Sequence, residues 1–258
     1  MTYIAMLSGG KDSTAMIDLL LRNGYPLVHI IFCDTLNEYD AMYEYIAKLS
    51  EYFKAKYDKE VITLKPKLKF SEFITGIISS GEHMGSARGI PQISVPCGWR
   101  RETKVRPFEK WLKRENITEY KIYIGFTVDE THRRSSDEKF LYPLIDDFKM
   151  SESECAAYLK DREMQNPLYK HFTRTGCFFC PYASQRAFYQ TWKHYPKEWA
   201  KIKAYESRLL SAGKNILNPS FFKDYKSCDE MEEIFRQSDK QGSFVFDDEP
   251  LRDCFCKI

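Results

Sequence analysis

The chain has 258 residues, a formal net charge of +2, 43% hydrophobic and 15% aromatic residues, and eight cysteines. That length suits one large α/β domain, or a domain with a helical appendage, and leaves room for a substantial core. A charge so near zero does not demand nucleic acid or an acidic membrane, and no apolar run approaches the ~20 residues that span a bilayer.

Met1-Thr2-Tyr3-Ile4 has no basic n-region and its apolar run is short, so a signal peptide is not expected and a cytoplasmic location is. In that compartment eight cysteines point to metal binding or catalysis rather than to structural disulfides.

In chain order, the apolar run Tyr3–Leu7 bounded by Gly9-Gly10 reads as a buried strand, and the three-to-four-residue apolar spacing from Thr14 to Leu21 reads as a helix. Leu27–Phe32 is a second near-continuous apolar run, as expected of a parallel strand covered on both faces. A helix from about Asn37 to Lys56 follows, then a short strand Val61–Leu64 and a helix over Phe70–Ser80 ending at Gly81.

The stretch Gly81–Arg106 reads as irregular, and a connection of that length is usually a lid or binding loop. Pro107–Asn116 reads as a helix, Lys121–Phe126 as the fourth strand, and Ser151–Glu154 as a capping box opening a helix to about Lys160. Beyond Asp161 the strand pattern stops. Gln185–His194 and Glu198–Leu210 read as helices, and 227–258 as a mixed, polar tail.

The expected fold is therefore α/β: a doubly wound, mostly parallel Rossmann-like sheet with a mainly helical C-terminal appendage. The division expected is a nucleotide-binding region over 1–150 and a helical, cysteine-bearing region over 151–258.

Ser8-Gly9-Gly10-Lys11-Asp12-Ser13 lies on the first strand-to-helix turn. Glycines there let the backbone approach an anion, and the helix dipole, Lys11 and the hydroxyls of Ser8 and Ser13 favour it. The spacing is not that of a Walker loop. An ordinary Gly-Gly turn capped by Asp12 or Ser13 is the plainer alternative.

Ligands of open parallel sheets bind at the carboxyl ends of strands. Three polar clusters fall there: Ser8–Ser13, Asp34-Thr35 and Thr127–Arg134. Asp34 suits Mg²⁺ or a ribose hydroxyl, or else a helix N-cap. Arg133 and Arg134 suit phosphate or sulfate oxygens, or else a solvated loop.

Cys177-x-x-Cys180 on a Gly-bounded turn can aim two thiolates at one metal. Cys97 and the tail pair Cys254-x-Cys256 offer further ligands, with Cys256 ahead of Cys254. Four thiolates suit a [4Fe–4S] cluster or structural Zn²⁺. The wide Cys97-to-Cys177 separation resembles that of cluster-binding sulfonucleotide reductases, although Gly98 stands where those carry a second cysteine. This resemblance implies the set Cys97, Cys177, Cys180 and Cys256, with the cluster ahead of zinc. Unliganded thiols or a nucleophilic tail cysteine are the alternatives. Cys33, Cys155 and Cys228 read as buried small residues, and His132, His171 and His194 lack ligand spacing. Tyr189, Trp192, Tyr195 and Trp199 recur at helical spacing and read as core.

The loop Ser8–Ser13 resembles the S-G-G-x-D-S loop of the N-type ATP pyrophosphatases, the PP-loop family. Cys33-Asp34-Thr35 with Glu38 resembles the D-T-G-x-E segment of its PAPS reductase-like branch, with Leu36 at the family glycine. Cys97 followed by Lys104–Phe108 is similar to its C…K-x-x-P-L block, and Gly125–Arg134 to its G-x-R-x-x-E-S-x-x-R segment, with Thr127 at the arginine. Tyr142–Ile145 resembles its P-L-x-x-W stretch. Asn166–Tyr169 leading to Gly176–Pro181 resembles its N-P-L-Y…G-C-x-x-C-P block.

The resemblance implies binding of ATP with Mg²⁺ through Ser8–Ser13, Asp34, Thr35 and Gly125, with Lys11, Asp12, Asp34, Arg133 and Arg134 in catalytic roles. The intact loop, and the lack of the E-C-G-[LI]-H tail of the reductases, liken the chain to members that cleave ATP between the α and β phosphates in sulfur transfer. Such members are the ATP sulfurylase small subunit and the sulfur-handling component of DNA phosphorothioation systems. A sulfonucleotide (PAPS/APS) reductase and a non-catalytic nucleotide- or nucleic-acid-binding subunit are the alternatives. An adenine nucleotide is the expected ligand, and nucleic acid, a sulfur-donor protein and a second copy of the chain are open as partners.

Overall fold

The computed structural model describes residues 1–91, 97–213, 215–222 and 224–242. Five parallel strands, β1 (Thr2–Leu7), β2 (His29–Cys33), β3 (Val61–Leu64), β4 (Tyr120–Tyr123) and β5 (Phe140–Leu141), form one sheet in the order β3-β2-β1-β4-β5. Strand order therefore reverses between β1 and β4, and their carboxyl ends flank the crevice where such sheets take ligands.

Helices α1 (Lys11–Arg22), α2 (Asp40–Tyr57), α3 (Phe70–Thr75), α4 (Gly98–Arg100), α5 (Arg106–Arg114), α6 (Pro143–Asp146) and α7 (Glu152–Lys160) intersperse with the strands and follow them. After them come α8 (Gln185–His194), α9 (Pro196–Leu210) and α10 (Cys228–Gln241).

Alternate residues of β2 feed two cores. Ile30 and Phe32 join the one built with α1 and α2, while Ile31 and Cys33 join Phe108, Trp111 and Leu112 of α5 on the opposite face. Both faces are covered, which is why the sequence reads as unbroken apolar runs rather than as alternation.

The first core continues without a gap into the C-terminal helices, through Leu168, Phe178, Tyr189, Trp199 and Phe235. Tyr189, Trp192 and Trp199 all lie with ring centres 5.7–5.8 Å from Phe235, so the helical aromatic spacing is core packing. Cys33, Cys155 and Cys228 are buried. Among the described residues no helix is long and apolar enough to cross a membrane.

Three expectations are corrected. The helix over 70–80 stops at Thr75, because extended Gly76 leads into Ile77-Ile78, which pair instead with the returning chain. Ile78 N–H donates to Ser86 O at 2.9 Å and Gly85 N–H to Ile78 O at 2.9 Å. The stretch 81–106 is not irregular throughout: α4 runs through a π-helical turn, Arg101–Val105, into α5. Trp99, 1% exposed, anchors it against Phe70 and Phe73. Pro107 lacks an N–H to give the preceding turn, and the wider turn before it accommodates that loss. The polar tail contains α10, opened by a Ser227/Glu230 capping box.

Candidate functional site

The phosphate loop follows β1. Gly9 adopts φ +74°, and a Cβ there would lie 2.3 Å from Met42 Sδ, so only glycine fits. Ser8 N–H donates to Ser13 Oγ at 3.1 Å, and the two hydroxyls lie 2.9 Å apart. Gly10 is the N-cap of α1.

Gly125, past the end of β4, packs on that first turn: its Cβ would meet Ser13 Cα at 2.8 Å and Ser13 N at 2.9 Å. Gly125→Ala is therefore expected to push α1 from the sheet and lower stability by about 1–3 kcal/mol, read from the urea midpoint.

Lys11 Nζ pairs with Glu152 Oε2 at 2.7 Å. Burial lowers its pKa, but the Glu152 carboxylate outweighs that and the net shift is upward. Asp12, Glu130 and Glu152 bring one carboxylate oxygen each within 4.8 Å of the others. Asp12 Oδ1 and Thr127 Oγ1 are buried with no hydrogen-bond partner among the described residues. Such orphans cost about 1–3 kcal/mol each, and a hard cation or its water would relieve Asp12. Three carboxylates with an unsatisfied oxygen fit Mg²⁺.

Burial, opposed by Lys11 and reinforced by Glu152 and Glu130, pushes the Asp12 carboxyl from 3.8 to about 7. The folded chain thus holds this proton more tightly than the unfolded one. The associated stability is complete below pH about 4 and is lost as pH rises through about 7. The melting-temperature advantage of Asp12→Asn over wild type should grow across that window in metal-free buffer. Millimolar Mg²⁺ should shrink it at pH 8.

Arg133 joins this group through an ion pair with Glu130, its guanidinium 4.3 Å from the Phe126 ring centre. Arg134 does not join through any described contact. It makes two hydrogen bonds to Asp146, at 2.8 and 3.0 Å, beside Tyr142.

Asp34 is 2% exposed, and its Oδ1 accepts from Leu36 N–H at 2.7 Å and Tyr43 O–H at 2.8 Å, with Lys65 Nζ 3.9 Å from Oδ2. One of its oxygens thus organises its own turn. Leu36 holds φ +59°, the conformation that suits the family glycine.

Thr35 belongs to a third group. Its hydroxyl donates to Glu38 Oε1 at 2.7 Å and accepts from Cys177 Sγ at 3.4 Å. Burial, with Glu38 and Cys97 adding, holds the Cys177 thiol well above its ordinary pKa. Burial likewise raises Glu38, partly opposed by Thr35 and Lys104.

Cys180 N–H closes a turn on Cys177 O at 3.0 Å. Cys97 lies within electrostatic reach of the Cys177 thiol, near the end of β2. Cysteine thiolates suit an iron–sulfur cluster or zinc. Three neighbouring thiols fit such a group in chemistry. Cys254 and Cys256 lie outside the described residues.

Glu130, Glu152, Asn166 and Tyr169 were not singled out as site residues by the sequence. Asn166 Nδ2 donates to Gly9 O at 2.8 Å, and Tyr169 Oη accepts from Lys11 N–H at 2.9 Å. Glu130 and the Asn-Pro-Leu-Tyr run lay inside recognised segments, but Glu152 read only as part of a helix start.

An uncharacterized protein of Methanocaldococcus jannaschii is 28% identical over 205 residues, 75% of this chain and 45% of that protein. The chain thus spans about half the length of that curated relative. The crystal structure of phosphoadenylyl-sulfate (PAPS) reductase from Candida auris, a phosphate complex, matches with a TM-score of 0.47 at 15% identity. That match covers 69% of this chain and 82% of the other. The model of the phosphoadenosine phosphosulfate reductase domain matches residues 2–183, well over half of the sequence, and the chain belongs to that family.

Proposed function

We propose that the protein binds Mg·ATP in the Ser8–Ser13 loop and cleaves it between the α and β phosphates, giving pyrophosphate and AMP or an adenylated acceptor. The observation that carries this reading is an intact loop whose lysine pairs with Glu152, one of three carboxylates, with Asp12 and Glu130, that converge beside the first turn of α1. An acceptor oxygen attacks the α-phosphorus, the α–β bridging P–O bond breaks, and its electron pair leaves with pyrophosphate.

Lys11 and the loop N–H groups stabilise the leaving charge, and Arg133 steadies charge on the α-phosphoryl oxygens. With a phosphate on Lys11 in its place, Glu152 would be free to hold Mg²⁺ together with Asp12 and Glu130. The ion, when bound, supplies charge neutralisation on the polyphosphate. Sulfur transfer to the adenylated product is the expected continuation.

Incubation with α-labelled ATP should yield AMP and pyrophosphate, and a sulfur-donor protein or nucleic acid that serves as acceptor should accelerate release. ADP as the product would refute the scheme.

The family's name equally supports a second reading, a sulfonucleotide reductase. There a tail thiolate attacks the sulfur of an adenylyl sulfate, the S–O bond to the nucleotide breaks, and an external dithiol then releases sulfite. Thiol-dependent sulfite release that disappears in Cys254→Ser/Cys256→Ser would establish it.

For the cysteine group we propose a [4Fe–4S] cluster on Cys97, Cys177, Cys180 and Cys256, which would supply redox or structural chemistry at the end of β2. Anaerobically purified protein should absorb broadly near ~400 nm and bleach with reductant. A colourless protein with stoichiometric zinc would overturn this.

A further inference from the structure

The phosphate loop is completed from the second half of the chain. Asn166 donates to Gly9 O at 2.8 Å while its Oδ1 accepts from Leu168 N–H at 3.0 Å, so the turn Pro167–Lys170 starts fastened to the loop. That turn carries Tyr169, whose oxygen accepts from Lys11 N–H at 2.9 Å, with Lys11 Nζ 5.6 Å from the ring centre.

A Cβ built on Gly10 would lie 3.3 Å from Ser8 Oγ and 3.5 Å from both Thr175 Oγ1 and Tyr169 Oη. Three hydroxyls therefore surround the residue that opens the 12-residue helix α1. The neighbouring loop carbonyls are already engaged. Gly9 O is taken by Asn166, and Gly10 O by Thr14 N–H, Thr14 Oγ1 and Ser13 Oγ.

Tyr169 Oη and Thr175 Oγ1 both face Gly10, and burial raises the phenol's pKa, so it keeps its proton. Each hydroxyl carries one hydrogen, and among the described residues neither donates it to a loop carbonyl.

We propose that Tyr169 and Thr175 are oxyanion-binding residues of the nucleotide site, donating their hydroxyl hydrogens to a phosphate or sulfate oxygen held over Gly10 and Lys11. The assignment rests on the nucleotide reading above and extends its contacts to a segment 158 residues from the loop.

Calorimetric titration of wild type, Tyr169→Phe, Thr175→Val and Thr175→Ser with Mg·α,β-methylene-ATP, pyrophosphate and adenosine tests it. Tyr169→Phe and Thr175→Val should each bind the two phosphate ligands roughly tenfold or more weakly, the scale of a hydrogen bond to a charged group, and adenosine unchanged. Thr175→Ser should restore affinity. Should Tyr169→Phe fail to melt as a folded protein, the Thr175 pair decides alone.

Variants that match wild type on both phosphate ligands, or that lose adenosine equally, overturn the assignment, the latter because it marks loop scaffolding only. Wild type that binds neither the ATP analogue nor pyrophosphate refutes the nucleotide reading itself, and this assignment with it.

Discussion

Asp18→Ala is expected to lower the stability of the protein by about 2–3 kcal/mol, seen as a lower urea midpoint at unchanged slope. Asp18 is 0% exposed on α1. It accepts hydrogen bonds from Arg22 Nε at 2.6 Å, Tyr158 at 2.7 Å and Tyr52 at 2.9 Å, with Arg162 Nε 3.8 Å away. One carboxylate thus ties α1 to α2 and α7, the helix that also delivers Glu152 to Lys11. Removing it takes the acceptor from two half-buried phenols, while the Arg22 guanidinium, 35% exposed, can turn to water. Asp18→Asn keeps the volume but not the charge, and should lose less. An unchanged midpoint in Asp18→Ala would mean that the network carries no net stability.

Lys11→Ala is expected to lower kcat for ATP cleavage about 10²–10³-fold, the usual effect of deleting one group that meets transition-state charge. The fold should survive, because Lys11 is partly exposed and its partner Glu152 is 44% exposed at the side chain, where water can replace the ammonium. The decisive readout is the ratio of pyrophosphate release between variant and wild type at saturating Mg·ATP, with a melting curve as control. Equal rates would remove the loop from the chemistry and favour a binding module without turnover.

The sheet, the loop and most helices were legible because they are written in short-range patterns. Apolar runs marked β1 to β4, Gly9-Gly10 marked the anion turn, and the Ser151/Glu154 box marked the start of α7. The same signal, Ser227 with Glu230, stands before α10, where a stretch dominated by charge masks it. The end of α3 is hidden for another reason. Ile77 and Ile78 leave the helix for backbone partners several residues further along the chain, which no local propensity reveals.

The sequence by itself determined the parallel sheet, the family and the loop proposed to hold an anion, since each depends on residues within a turn or two of one another. Tertiary structure alone decided what surrounds that place. It set Glu130 and Glu152 against Asp12, engaged Asp34 Oδ1 in its own turn, left Arg134 on Asp146, and brought Cys97 within electrostatic reach of Cys177. It also carried Asn166 and Tyr169 onto the loop. Periodicity records which face of an element is buried. Which distant faces meet is set by packing the whole core, and here α7 and the Pro167–Lys170 turn close over β1 as one body with the sheet.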